Sequence, residues 1–547
     1  ALDEAGQPTW IAAADGTLPD KAWVVVASTE ERFAAIEADA VPLLEPEIVD
    51  PDPWFLAETN RIDCLVLTSR ELEAAARELA DYRAGQGLRV AVATFEDVCD
   101  WMAGGLRTPE AIPELLAYAV ATWTEAPWLM VLAGNGHYDY LQAVNAEPNH
   151  VPPMLMATHD GIFAADGLLA DADGDGVPDL PVGRLPALTE ADLAAMIAKI
   201  KAYEQGFGED WQGEWVLASD ATDPKAGEFR QVNDRLASLA SPDHPVAARI
   251  DLDATAITPA RTALLGRFKS GAGIIHYTGH GGVANFSSKN LLRATDVPTL
   301  SNPTRPPVTV ALSCLVGRYE APGVNSLGEL LMRKAGGGSV AVWGPSGLSR
   351  NDPAADLGEA FYRAVLQEGT GTLGLAIQRA RRRLQGDRFT QDTLAIYNLL
   401  GDPALRIANN AGEHPDDETF AQWRWQRFSP AELAAPEIGG ATDANFLEYA
   451  LADGAPLEAE LPEFGYALPE AGAEDGFILR WKRRIRRADV EYRLFLSHDL
   501  ETWSDDPAQL EEVGSEPDPD GVMETVRTRV KRTPAERTFL GIRAKKK

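Results

Sequence analysis

The chain has 547 residues, 45 % of them apolar, with 83 acids against 50 bases and a formal charge of −33. That length exceeds what one hydrophobic core serves and implies two to four folded units, while the apolar share excludes a wholly disordered chain. So acidic a surface repels nucleic-acid phosphates, which excludes DNA and RNA as partners, and no run of about 18 apolar residues offers a membrane span.

In chain order, residues 1–57 form a Pro- and acid-rich arm with one strand-like run, Trp23-Val24-Val25-Val26. The opening ALDEAGQ lacks a basic and apolar leader, so either a signal peptide has been removed or the protein is cytosolic. A βα rhythm then begins. Cys64–Leu67 reads as a buried strand, followed by the helix ELEAAARELADYRAGQG ending on Gly87. Val90–Phe95, Trp128–Ala133 and Pro181–Arg184 read as the next strands, and Thr189 is set to cap the helix EADLAAMIAKIKAYEQG. The rhythm restarts with strands at Trp215–Ser219, Ala248–Leu252, Gly273–Thr278, Val308–Ser313 and Ser339–Trp343. Short apolar runs alternating with longer helices predict an α/β fold of mostly parallel, doubly wound sheets. The expected subdomains are 58–205 and 206–408, followed by a polar linker at 409–445. Alternating runs such as FILRWKR, VEYRLFLS and TFLGIRA predict a small antiparallel β domain over 446–547.

Chemistry concentrates in the second subdomain. Gly273–Thr278 runs into Gly279-His280-Gly281-Gly282, and Val308–Ser313 runs into Cys314. Open parallel sheets bind ligands outside the carboxyl ends of their strands. Consecutive strands would thus bring an imidazole and a thiol to one rim, as a cysteine nucleophile with its base requires. Each residue alone has a plainer reading: a buried cysteine is usually a small hydrophobe, and a lone histidine is usually structural. Cys64, in a core strand, and Cys99, in a helix, read as packing. With three cysteines the chain holds too few, and an odd number, for a disulfide framework.

YTGHGG at Tyr277–Gly282 followed by ALSC at Ala311–Cys314 resembles the gingipain family of cysteine peptidases, which have a caspase-like fold. DGVPDLPVGRLPA at Asp175–Ala187, YNLLGDPAL at Tyr397–Leu405 and the stretch LADYRAGQGLRVAVATFEDV extend the resemblance across 58–408. It implies a secreted endopeptidase acting on proteins or peptides, possessing no organic cofactor. Cys314 is then the nucleophile and His280 the general acid–base. The Gly281 and Cys314 N–H groups are the oxyanion donors. An acid after the first strand of the second subdomain orients the histidine; in LASDATD that is Asp220, with Asp223 in reserve. Glu228 is the nearest counterpart of the acid that selects basic side chains in Arg-specific members, and Phe286 is the other candidate for substrate contact. Cleavage after Arg or Lys is the resulting expectation. The family's Gly-Asp after the third strand is Gly134-Asn135 here.

Asp171, Asp173, Asp175 and Asp179 alternate around Gly174 and Gly176, as in a calcium loop, although position twelve is Val182. The plain reading is a solvated acidic turn; with the family's known calcium, a structural ion is expected. The C-terminal strands resemble a β module of exported bacterial proteins. Against an active peptidase stands a peptidase-fold scaffold without catalysis, yet both His280 and Cys314 are present.

Overall fold

The computed structural model describes residues 53–408 apart from 145–146, 207–208, 367–369 and 385, together with six strands in the last 90 residues or so. The strand expected at 23–26 and the linker 409–445 lie outside the described residues.

The first half of the α/β region contains β1 (Cys64–Thr68), α1 (Glu73–Ala84), β2 (Val90–Thr94), α2 (Phe95–Met102), α3 (Ala111–Thr122) and β3 (Leu129–Ala133). A hairpin of β4 (Leu155–Thr158) and β5 (Gly161–Ala164) follows, then β6 (Val182–Leu185) and α4 (Glu190–Gln205). After the short α5 (Asp210–Gly213) come β7 (Trp215–Ser219), α6 (Phe229–Ala237), β8 (Val246–Asp251), α7 (Ile257–Ser270) and β9 (Ile274–Thr278). Three two-residue strands, β10 (Gly281–Gly282), β11 (Asn285–Phe286) and β12 (Leu292–Arg293), lead to β13 (Val308–Leu312) and α8 (Leu327–Arg333). The region closes with β14 (Ala341–Pro345), α9 (Asn351–Leu366), α10 (Leu373–Arg383), α11 (Arg388–Ile396) and β15 (Tyr397–Leu400).

The strands of both expected subdomains join in one ten-stranded sheet, ordered β2-β1-β3-β6-β15-β14-β13-β9-β7-β8. β15 runs parallel to β6 but antiparallel to β14, so the sheet is two parallel blocks of opposite direction meeting at this strand. Central strands are mostly apolar because helices cover both faces, and β1, β3, β7, β9, β13 and β14 are buried at every position. Side chains alternate between faces: Cys64 and Val66 enter a core shared by both blocks, whereas Leu65 and Leu67 enter a smaller one under α2 and α3.

Two buried ion-pair motifs knit the first block to segments from late in the chain. Arg83 of α1 is fully buried and donates to Asp402, after β15, at 2.7 and 2.9 Å and to Glu204, at the end of α4, at 2.8 and 2.9 Å. This pull on Arg83 accompanies an end to α1 at Ala84, short of the expected Gly87, which instead takes φ +93° in the following turn. Arg184 of β6 forks onto Asp166 at 2.7 and 2.8 Å, and the Tyr319 hydroxyl also donates to Asp166. Thr189 caps α4 as expected, accepting from Asp192 N–H.

The C-terminal strands are β16 (Gly465–Ala467), β17 (Phe477–Arg484), β18 (Val490–Ser497), β19 (Leu510–Pro517), β20 (Met523–Val530) and β21 (Phe539–Lys546). All pair antiparallel, in sheets β16-β17-β20-β19 and β18-β21. Among the described residues, no helix is long and apolar enough to cross a membrane.

Candidate active site

Register sets the site. Thr278 ends β9 opposite Leu312, which ends β13, so His280 and Cys314 each lie two residues beyond a paired position on adjacent parallel strands. Neighbouring strands are roughly 4.8 Å apart, which brings the two residues abreast at one rim. The chain moves from β7 to β8 on one side and returns to β9 on the other, so β7 and β9 flank a topological switch point, where open sheets bind ligands.

Close approach requires glycine on both sides of His280. A Cβ on Gly281 would stand 2.5 Å from the Cys314 carbonyl oxygen and 2.8 Å from Ser313 Oγ. At Gly279, with φ +155°, it would stand 2.4 Å from Asp220 Cβ. Neither position tolerates a side chain without movement of the backbone.

Asp223, and not Asp220, meets the imidazole: His280 Nε2 lies 3.0 Å from Asp223 Oδ2. Asp220 N–H still bonds the Thr278 carbonyl, extending the ladder by a step, and its side chain is buried beneath the rim. There Asp220 accepts from Ala221 N–H and Ser287 Oγ, both at 2.8 Å, and lies 3.3 Å from the Tyr277 hydroxyl. Asp223 is three residues farther out, in a turn where Lys225 N–H donates to its other oxygen at 2.7 Å. That backbone bond, followed by the bond to His280, holds the Asp223 carboxyl below the usual carboxylate range. With Nε2–H donating to Asp223, Nδ1 is the ring nitrogen available to accept a proton. Phe229 meets the ring edge-on at 5.3 Å. The other histidine of this segment, His276, is the structural kind: buried in β9, bonded to Thr278 and Tyr362, and pushed down to about 3 by burial.

Cys314 is partly exposed, whereas Cys64 and Cys99 are buried, and all three are free thiols. Burial pushes the Cys314 thiol up; the backbone of Ser349 opposes this, and the charge of Asp160 adds to it. Ser349 N–H donates to the sulfur at 3.4 Å. The next residue, Leu315, has φ +60° and is tied to the Gly347 carbonyl at 3.0 Å, a strained conformation beside the nucleophile. Sequence reasoning missed Ser349 and Leu315. For Asp223 a signal existed, since Asp-Pro marks a turn in which the aspartate binds its own backbone.

The two substrate-contact candidates differ in burial. Phe286 is fully buried and stacks on Tyr277 at 4.3 Å, so it packs the rim. Glu228 is exposed at the start of α6, where it accepts from Gln231 of the same helix. Asn135 is buried and accepts from Arg333 at 3.2 Å, so the family's acid is replaced here by a neutral hydrogen-bonding residue.

In the acidic loop, Asp171, Asp173 and Asp179 each present an oxygen within 4.8 Å of the others; Asp175 is outside this group and accepts Val177 N–H. Asp171 spans the loop, accepting Gly174 and Gly176 N–H at 2.8 Å each. Burial, followed by the neighbouring acids, raises the Asp179 carboxyl, a repulsion that a bound cation would relieve.

The sequence profile of peptidase family C25 matches residues 57–408, more than half of the chain. Comparison with curated proteins gave no match. Among solved structures, the fold is similar to that of the Arg-specific cysteine proteinase gingipain R, at 16 % identity and a TM-score of 0.52, covering 87 % of this chain and 92 % of that one. It is also similar to the complex of pro- and mature domains of RgpB from Porphyromonas gingivalis, at 14 % identity and a TM-score of 0.53, covering 88 % and 99 %. The profile match, over the segment whose sheet carries His280 and Cys314 abreast, makes this chain a member of peptidase family C25, the gingipain family of cysteine peptidases.

Proposed function

We propose that the chain is an active, exported cysteine endopeptidase. The observation that supports this reading is the register that sets the backbones of Cys314 and His280 abreast at one rim, with the His280 ring bonded to Asp223. In the reaction, His280 Nδ1 takes the Cys314 proton while the sulfur bonds to the scissile carbonyl carbon. The oxyanion that forms is met by the Gly281 and Cys314 N–H groups. Its collapse breaks the C–N bond, and the imidazolium gives its proton to the leaving amine. Water, deprotonated by the same imidazole, then releases the acid and restores the thiol. Burial raises the thiol, which favours transfer of its proton to the imidazole as the sulfur attacks. A peptidyl acyloxymethyl ketone tests the reading: Cys314 alone should be alkylated, and rapidly only with His280 present. Labelling of Cys64 or Cys99 in the folded protein, or none at Cys314, would contradict it.

Cleavage after Arg or Lys fits the charge of −33 and the field of Asp160 at the thiol. A fluorogenic library preferring an acidic or apolar residue before the scissile bond would refute it. We also propose calcium at Asp171, Asp173 and Asp179, whose oxygens suit a hard cation.

A further inference from the structure

In a trans peptide the carbonyl of one residue and the N–H of the next point in opposite directions across a rigid plane. Whatever holds the His280 carbonyl therefore aims the Gly281 N–H. That carbonyl is held twice, accepting from Ser287 N–H at 2.7 Å and from the Tyr277 hydroxyl at 2.7 Å. Because Ser287 N–H bonds His280, the Gly281–Phe286 pair is the non-hydrogen-bonded kind, and the Gly281 N–H is left out of that ladder.

Asp220 lies behind both donors and anchors Ser287. Ser287 Oγ donates to Asp220 Oδ1 at 2.8 Å, and the Tyr277 hydroxyl lies 3.3 Å from Oδ2. Ser287 has φ +63°, a costly conformation for a non-glycine residue, and in it the N–H and the hydroxyl engage different partners. Gly281 in turn lies against the Cys314 backbone.

We propose that Asp220, Tyr277 and Ser287 are positioning residues that aim the Gly281 N–H at the developing oxyanion, while Asp223 separately holds the His280 ring. This rests on the peptidase reading above. The chain thus uses two nearby acids for two tasks, one behind the peptide plane and one on the imidazole.

Tyr277→Phe is the sharpest test, since it keeps the ring stacked on Phe286 and deletes only the hydroxyl. A peptide amide should be hydrolysed with kcat down about tenfold, a fraction of the loss that follows deletion of a whole oxyanion donor, and with KM nearly unchanged. Affinity for a peptide aldehyde, which forms a tetrahedral adduct with an oxyanion, should fall in parallel. Alkylation of Cys314 by iodoacetamide, a displacement with no oxyanion, should proceed at the wild-type rate. Ser287→Ala should show the same split and serves as the second variant. Unchanged kcat and aldehyde affinity, or alkylation reduced as much as hydrolysis, would overturn the proposal. A wild-type protein that iodoacetamide alkylates at Cys314, but that neither hydrolyses peptides nor binds the aldehyde, would sink the peptidase reading and this inference with it.

Discussion

At the residue scale, the site separates groups that touch the reaction from groups that hold them. Asp223 touches the imidazole and is itself partly exposed, so its replacement should weaken His280 without dismantling the rim. Asp223→Asn should lower kcat roughly ten- to hundredfold, at or just below the foot of the roughly hundred- to ten-thousandfold range of general acid–base assistance, and leave the melting temperature close to wild type. A variant with full kcat would show that the bond is incidental. The raised Cys314 thiol gives a second expectation. Once His280→Ala removes the base, iodoacetamide alkylation of Cys314 should be slow at neutral pH and should climb only at pH values above the ordinary thiol range. Fast alkylation of that variant at pH 7 would contradict the burial argument.

Elements explain what the sequence could and could not tell. His280 and Cys314 were legible because each follows an apolar strand, and strand ends in a parallel sheet carry function. The strands themselves were legible from their apolar runs, within a residue or two. β15 was not, because Tyr397–Leu400 is four residues long and was visible only as part of a motif. Nor were the β4–β5 hairpin and the β10–β12 ribbon, whose strands of two to four residues have no periodicity to read. The choice between Asp220 and Asp223 depended on whether the β7 ladder extends one residue past Ser219, which a pattern of side chains does not encode.

The loop after β13 carries a further expectation. Glu320 is buried, neither carboxylate oxygen has a hydrogen-bond partner among the described residues, and Arg318 lies 3.6 Å away. Burial raises its carboxyl to about 7 from the usual 4.5. A raised carboxyl binds more protons in the folded state, so its contribution is fully present below about pH 4.5 and is lost as the pH rises through about 7. Glu320→Gln should therefore melt near the wild type at about pH 5 and clearly above it at about pH 8. A melting difference that stays constant across this window would refute the assignment. In the acidic loop, EDTA should lower the melting temperature of the wild type and leave that of Asp171→Ala unaffected. Equal melting of the wild type with and without EDTA would remove calcium from the account.

Across the whole molecule, motifs that identify the family serve two different purposes. His280 and Cys314 carry chemistry, but Arg184 of the GRLP segment and Asp402 of the GDPAL segment are buried in ion pairs of the first block. Arg83→Ala should therefore cost about 3–5 kcal/mol, the usual consequence of leaving a buried carboxylate without its partner. Chemical denaturation would measure it, and a loss below about 1 kcal/mol, the size of an exposed pair, would show that this buried pair contributes no more than a surface one. The single sheet has the same implication for function: Cys314 stands on a rim supported by strands from both sides of β15, so the α/β region should unfold as one unit.

The central claim is that Cys314 is the peptidase nucleophile. The most direct measurement compares hydrolysis of a fluorogenic peptide library by the wild-type chain and by Cys314→Ala, with melting curves recorded for both. The account predicts hydrolysis by the wild type, a loss of several orders of magnitude in the variant, and coincident melting, since one partly exposed sulfur contributes roughly 1 kcal/mol. Wild-type rates of hydrolysis in a folded Cys314→Ala would contradict it.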